Sequence, residues 1–177
     1  LYDAYAEVSS KQPIGFVTAV YDENFTSEIK NQPCPVKIMC SLTSEDVMPF
    51  ILYIMCKYLV KSQNKHGLDT YAYYFRRQLP GDDKGAWHGS ELPYLYGSLE
   101  DSWRPFGEED YKLQENMILY LINFIKTGNP NRNGLPEWTP YNKSKKFMVF
   151  DDNPPRMGKA EVVRLIKNTL HPSKIGM

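Results

Sequence analysis

His88 lies in the segment Gly85-Ala86-Trp87-His88-Gly89-Ser90-Glu91-Leu92-Pro93, and it is the side chain of this sequence best suited to moving a proton. An imidazole changes charge near neutral pH, a neighbouring Trp sheds water, and flanking glycines leave the backbone open to a reactant. A base of this kind also needs a carboxylate that accepts one ring N–H, holds one tautomer and stabilises the imidazolium. Glu45 is the candidate for that role. Asp46 and Asp83 are competing acids, and Glu91 is a supporting group close to His88 in sequence.

Such residues act together only if the fold brings them together. The mostly apolar run 36–41, which follows Pro33 and Pro35, reads as an interior strand. The spacing of Phe50, Ile51, Ile54, Met55, Tyr58 and Leu59 predicts a helix over 49–62 with Pro49 in its first turn. The β-branched and aromatic run 70–75 reads as a second strand. A strand, a helix and a strand in that order make two parallel strands joined by a right-handed crossover. The loops 42–47 and 76–89 then leave the same sheet edge, where open α/β sheets bind their ligands. Glu45 and His88 fall in those two loops.

Further along, Leu113, Met117, Leu121, Phe124 and Ile125 give one apolar face to a helix over 108–126, stopped by Thr127-Gly128-Asn129-Pro130. A strand follows at 147–150 and a last helix at 159–168, and near the start a short strand is expected at 15–20 with a turn at 22–24. Tyr71, Tyr73 and Tyr74 should divide between two covered sheet faces. Trp103 and Trp138 are expected to pack, as are Trp87, Tyr94 and Tyr96, for which a ligand pocket is the weaker reading. Arg76 and Arg77 are expected to pair with Asp82 and Asp83. His66 reads as a helix C-terminal residue and His171 as tail.

The 177 residues carry 21 basic and 21 acidic side chains, a balance that argues against a nucleic-acid partner or a polybasic membrane patch. The greasiest stretch, 47–60, is broken by Pro49 and Lys57 and is shorter than the roughly 20 residues needed to cross a bilayer. Cys34, Cys40 and Cys56 are odd in number and lack metal-ligand spacing, so reduced thiols and a cytoplasmic location are expected.

The motifs resemble those of the C-terminal portion of type-B carboxylesterases, the family that includes cholinesterases and para-nitrobenzyl esterases. Gly85 to Pro93, continued by Tyr94-Leu95-Tyr96-Gly97, is similar to the family's histidine segment, Gly-Ala-x-His-Gly-x-Glu-Leu-Pro. Asn123-Phe124-Ile125-Lys126-Thr127-Gly128-Asn129-Pro130-Asn131 resembles its Asn-Phe-x-x-Thr-Gly-Asn-Pro-Asn, and Pro136-Glu137-Trp138-Thr139-Pro140-Tyr141 its following Trp-containing turn. Upstream, Pro35 to Asp46 resembles the family's strand and acid loop, with Cys40, Leu42 and Asp46 standing where the family has Gly, Asn and Gly. In that register Glu45 takes the position of the catalytic acid, and Asp46 is the alternative.

The resemblance spans about residues 15–170 and implies the C-terminal part of an α/β-hydrolase fold, mostly parallel strands with crossover helices, forming one segment of a single domain over 1–177. It implies a serine carboxylesterase with His88 as base and Glu45 as acid, acting on a small uncharged ester without metal or organic cofactor. No Ser here has Gly at both minus two and plus two, so the nucleophile elbow and oxyanion hole are expected on an N-terminal part absent from this sequence. That part is the expected partner, with a homodimer as an alternative and an isolated segment that is inactive. The rival reading is a non-catalytic, cholinesterase-like scaffold.

Overall fold

The computed structural model describes residues 37–171; the strand expected at 15–20, its turn and Cys34 lie outside them. Four strands form one sheet in the order β1-β2-β3-β4: β1 Ile38–Thr43, β2 Thr70–Phe75, β3 Phe147–Phe150 and β4 Arg156–Gly158. The first three are parallel, with Thr43 opposite Phe75 and Phe75 opposite Phe150, and β4 returns antiparallel to β3. The mostly parallel architecture expected from strand-helix-strand order is the one observed. The β4 return strand was not expected. It is only three residues long, too short for a two-residue period to register.

Helix α1, Pro49–Lys65, makes the crossover from β1 to β2. Pro49 fits its first turn because no intrahelical partner exists there for the missing N–H. The short α2, Leu92–Tyr96, follows the histidine segment and closes at Gly97, whose φ of 71° is left-handed. Helix α3, Glu108–Thr127, begins with three acidic residues that suit the positive end of its dipole and ends at Gly128, φ 69°. A single turn, α4 (Tyr141–Ser144), and α5, Val162–Leu170, are the remaining helices among the described residues apart from one short 3-10 turn at Leu99–Asp101.

Alternation along β2 splits the core in two. Tyr71, Tyr73 and Phe75 face a cluster with Leu113, Met117, Tyr120 and Trp138, whereas Ala72 and Tyr74 face Cys56, Val60, Phe147 and Leu165. The three tyrosines thus divide as expected. Trp138 is 1% exposed and meets Tyr71, Tyr73, Tyr120 and Phe150 edge to face.

The Asn- and Thr-rich turn after α3 is what seats that indole. Asn131 accepts the Trp138 backbone N–H at 2.6 Å and donates to the Trp138 carbonyl at 2.9 Å, while Asn123 and Thr127 donate to the carbonyl of Asn129. This second motif is therefore scaffold.

Trp103 departs from expectation: it is 74% exposed, with Arg104 stacked 4.8 Å over its ring. A guanidinium over an indole is favourable at the surface, so burial is not required. Tyr96 is also 74% exposed, whereas Tyr94 is fully buried and donates its hydroxyl to Asp110 at 2.7 Å. Arg76 and Arg77 pair with Asp151 and Asp110 instead of Asp82 and Asp83, since β2 carries them beside β3 and α3. Asp82 is taken by Arg104.

Candidate active site

Parallel pairing brings the ends of β1 and β2 level, and the two loops beyond them zip together. Ser44 donates its backbone N–H to Phe75 at 3.0 Å, Glu45 donates to the carbonyl of Ala86 at 3.0 Å, and Glu45 and Trp87 form an isolated parallel bridge. The acid loop is in effect an extra strand residue laid against the histidine loop. His88 is therefore set beside 45–46 by main chain before any side chain contributes.

The carboxylate at the imidazole belongs to Asp46. Its Oδ1 lies 2.9 Å from His88 Nδ1. The Thr43 hydroxyl donates to Asp46 Oδ2 at 2.8 Å and the Val47 N–H to Oδ1 at 2.7 Å. The Asp46 side chain is 6% exposed and that of His88 is 69% exposed. One imidazole nitrogen is thus committed to a held carboxylate while much of the ring is open to a second molecule. A carboxylate acceptor at Nδ1 favours the tautomer that leaves the Nε2 lone pair open.

Glu45, the acid expected from the sequence, is not the residue that meets the ring. Its Oε1 takes Arg164 Nε at 3.0 Å and Arg164 Nη2, and its Oε2 takes the Ala86 N–H at 3.0 Å and the Ser44 hydroxyl. Neighbours on extended chain point to opposite sides, so 45 and 46 cannot both turn to His88. Gly85 permits this arrangement. Its φ is 72°, and a Cβ there would come within 2.8 Å of the Glu45 carboxyl carbon.

Helix α5 buttresses the acid loop, a role without a sequence signal because the contacts cross 119 residues or more. Besides Arg164, Asn168 donates to the Ser44 carbonyl at 2.8 Å, and Thr169 accepts the Phe50 N–H at 3.0 Å at the start of α1. Arg164 and Arg76 share Glu161, linking the loop to β2.

Asp83, the remaining competing acid, has no hydrogen bond to His88 in the structure. Glu91 is 8% exposed and its Oε2 has no hydrogen-bond partner among the described residues. Burial pushes its carboxyl above the usual range, with the nearby Asp46 charge adding to the rise and His88 opposing it. No cluster of His, Cys, Asp or Glu among the described residues could hold a metal ion. No described helix is long and apolar enough to cross a membrane.

A mostly parallel sheet with a His–carboxylate pair on neighbouring loops at its carboxyl edge defines an α/β protein whose ligand-binding edge holds that pair. The model of the carboxylesterase family matches residues 11–165. Carboxylesterase 4A of Bos taurus is 36% identical over 90 residues, covering 48% of this chain and 16% of that protein. Cocaine esterase of Homo sapiens is 34% identical over 91 residues, 50% of this chain and 16% of that protein. Among solved structures, a Clostridium hathewayi esterase superposes with a TM-score of 0.55 at 21% identity, over 91% of this chain and 35% of that one. A PNB esterase does so with a TM-score of 0.53 at 19% identity, over 66% and 25%. The chain belongs to the carboxylesterase family and is built on the α/β-hydrolase fold. It spans only 16% of the length of either mammalian relative.

Proposed function

We propose that this chain carries the base and acid of a serine carboxylesterase, His88 and Asp46, whose nucleophile and oxyanion donors lie on an N-terminal part of the same protein. The observation behind this is the 2.9 Å contact between His88 Nδ1 and an Asp46 carboxylate held by Thr43 and Val47. His88 Nε2 takes the serine proton as its oxygen attacks the ester carbonyl, then returns that proton to the departing alcohol. Water repeats the cycle on the acyl-enzyme. Asp46 keeps the proton on Nδ1 and stabilises the imidazolium formed at each step.

Glu45 is a positioning residue in this reading. It joins Arg164 of α5 to the Ala86 amide and so holds the acid loop on the histidine loop. The substrate is an ester, in keeping with the esterase relatives, and the chain's balanced charge supports a small uncharged one. The N-terminal part meets the half-exposed edge of β1, whose outer backbone groups are suited to pairing with a further strand.

The test is turnover of a short-chain aryl ester by the full-length protein and its variants. His88→Ala is expected to lower kcat by about 10⁴-fold or more. Asp46→Asn should cost more than Glu45→Gln. The reverse ranking assigns the acid role to Glu45, and near wild-type turnover in His88→Ala removes the triad altogether.

A further inference from the structure

Cys40 and Cys56 face each other across the packing of β1 against α1. Cys56 belongs to the buried cluster that includes Leu42, Val60, Ala72 and Tyr74, and Cys40 packs against it from the half-exposed edge strand. Their sulfurs are 2.7 Å apart. Non-bonded heavy atoms settle at about 3.5–4.0 Å, so the two side chains are aimed at one another more closely than packing alone requires. The residue count predicted reduced thiols; among the described residues the fold sets Cys40 and Cys56 together.

Two other uses of a thiol pair find no support. A metal needs further ligands, and none of the described residues forms a metal-binding cluster with these sulfurs. A catalytic nucleophile must lie beside its base, and the two sulfurs contact each other while the His88 ring nitrogen meets Asp46. What remains is the reaction that two adjacent thiols perform on each other.

We propose that Cys40 and Cys56 form a disulfide that fastens β1 to α1 and closes a loop around Ser44, Glu45 and Asp46. The two thiols give up two protons and two electrons to a small-molecule disulfide of the glutathione type. The protein S–S bond forms as the oxidant's S–S bond breaks, and two small thiols leave. A cross-link here restricts the unfolded chain and limits how far the acid loop can drift from the strand that carries it. Such bonds persist in oxidising compartments and are reduced in the cytoplasm, so the cross-link would form where the surroundings are oxidising. The inference stands apart from the esterase reading, since it concerns two sulfurs and needs no turnover.

Mapping is direct because trypsin cuts after Lys37 and Lys57, releasing 38–57 with both cysteines and leaving Cys34 on 31–37. The purified full-length protein is incubated with oxidised glutathione, denatured, alkylated with iodoacetamide and digested. Peptide 38–57 should carry no label and be lighter by two hydrogens, gaining two labels after prior reduction. Oxidised wild type should melt several degrees above its reduced form, a difference absent from Cys40→Ala/Cys56→Ala. Two labels without reduction, or a glutathione adduct on either residue, overturns the proposal, as does a melting temperature indifferent to oxidation.

Discussion

Asp46 Oδ1 lies 2.9 Å from His88 Nδ1, while its neighbour Glu45 turns the other way to an arginine on the last helix. Two adjacent carboxylates thus separate into two jobs. One meets the imidazole and the other clamps the loop that presents it. Asp46 receives two further hydrogen bonds, from Thr43 and Val47, which fix its carboxylate plane without the help of a charged partner.

The ring's orientation depends on a carboxylate acceptor, so Asp46→Asn should lower kcat by about 10²–10⁴-fold with little change in KM. Folding should be preserved, because the amide oxygen can still accept from the Val47 N–H while its NH2 donates to the Thr43 hydroxyl oxygen. Steady-state kinetics with unfolding curves on the same protein separate the two effects. A variant that loses activity only as it loses stability would argue for a structural role alone.

Gly85→Ala places a side chain at φ 72° and within 2.8 Å of the Glu45 carboxyl carbon. We expect a destabilisation of about 1–3 kcal/mol and a fall in kcat, because relief requires the acid loop to part from the histidine loop. Urea denaturation and turnover measured together provide the check. Unchanged values for both would mean that the Glu45 clamp is dispensable.

The Glu45–Arg164 pair is weaker in stability than in geometry. Arg164 is 44% exposed, and a pair of this kind contributes only about 0–1 kcal/mol after solvent screening. Arg164→Ala should therefore shift the urea midpoint little while lowering kcat several-fold. A large loss of stability with intact kcat would reverse this assignment.

Asp110 is a different case, because it is 2% exposed and serves Arg77 Nε at 2.9 Å, the Tyr94 hydroxyl at 2.7 Å and the Gly107 N–H at 3.0 Å. Asp110→Ala leaves those donors stranded and should cost about 3–5 kcal/mol. Burial by itself would raise its carboxyl, but Arg77, Tyr94 and Gly107 outweigh it and hold it below the ordinary 3.8. Asp151 is likewise held well below that value, where Arg156, the Asn153 amide and Arg76 overcome burial. A depressed folded pKa contributes stability above the unfolded value and loses it as pH falls. These two carboxylates should thus make stability decline below about pH 4, and Asp110→Asn should shallow that decline. Thermal melts across that range measure it, and equal acid sensitivity in wild type and Asp110→Asn would contradict the account.

Much of the architecture was legible because it rests on local signals. The apolar run around 38–41, the three- and four-residue spacing in 49–62 and the aromatic run 70–75 each state their element, and their order implies parallel strands. His88 and the acid pair could be placed on neighbouring loops from that order alone. β1 nonetheless continues to Thr43, past the end expected at 41, because β2 supplies hydrogen-bond partners as far as Phe75. The exposed place of Trp103 and the true partners of Arg76 and Arg77 were equally set by neighbours distant in sequence.

The sequence by itself determined which residues could do chemistry and which sheet edge would hold them, since residue type and periodicity are properties of short segments. Which of Glu45 and Asp46 reaches His88 was decided only in the tertiary structure. Adjacent side chains diverge, and the choice between them falls to a left-handed turn at Gly85 and to Arg164, 119 residues from Glu45. The meeting of Cys40 with Cys56 has the same origin. A strand and the helix that crosses behind it must pack before one thiol can find the other.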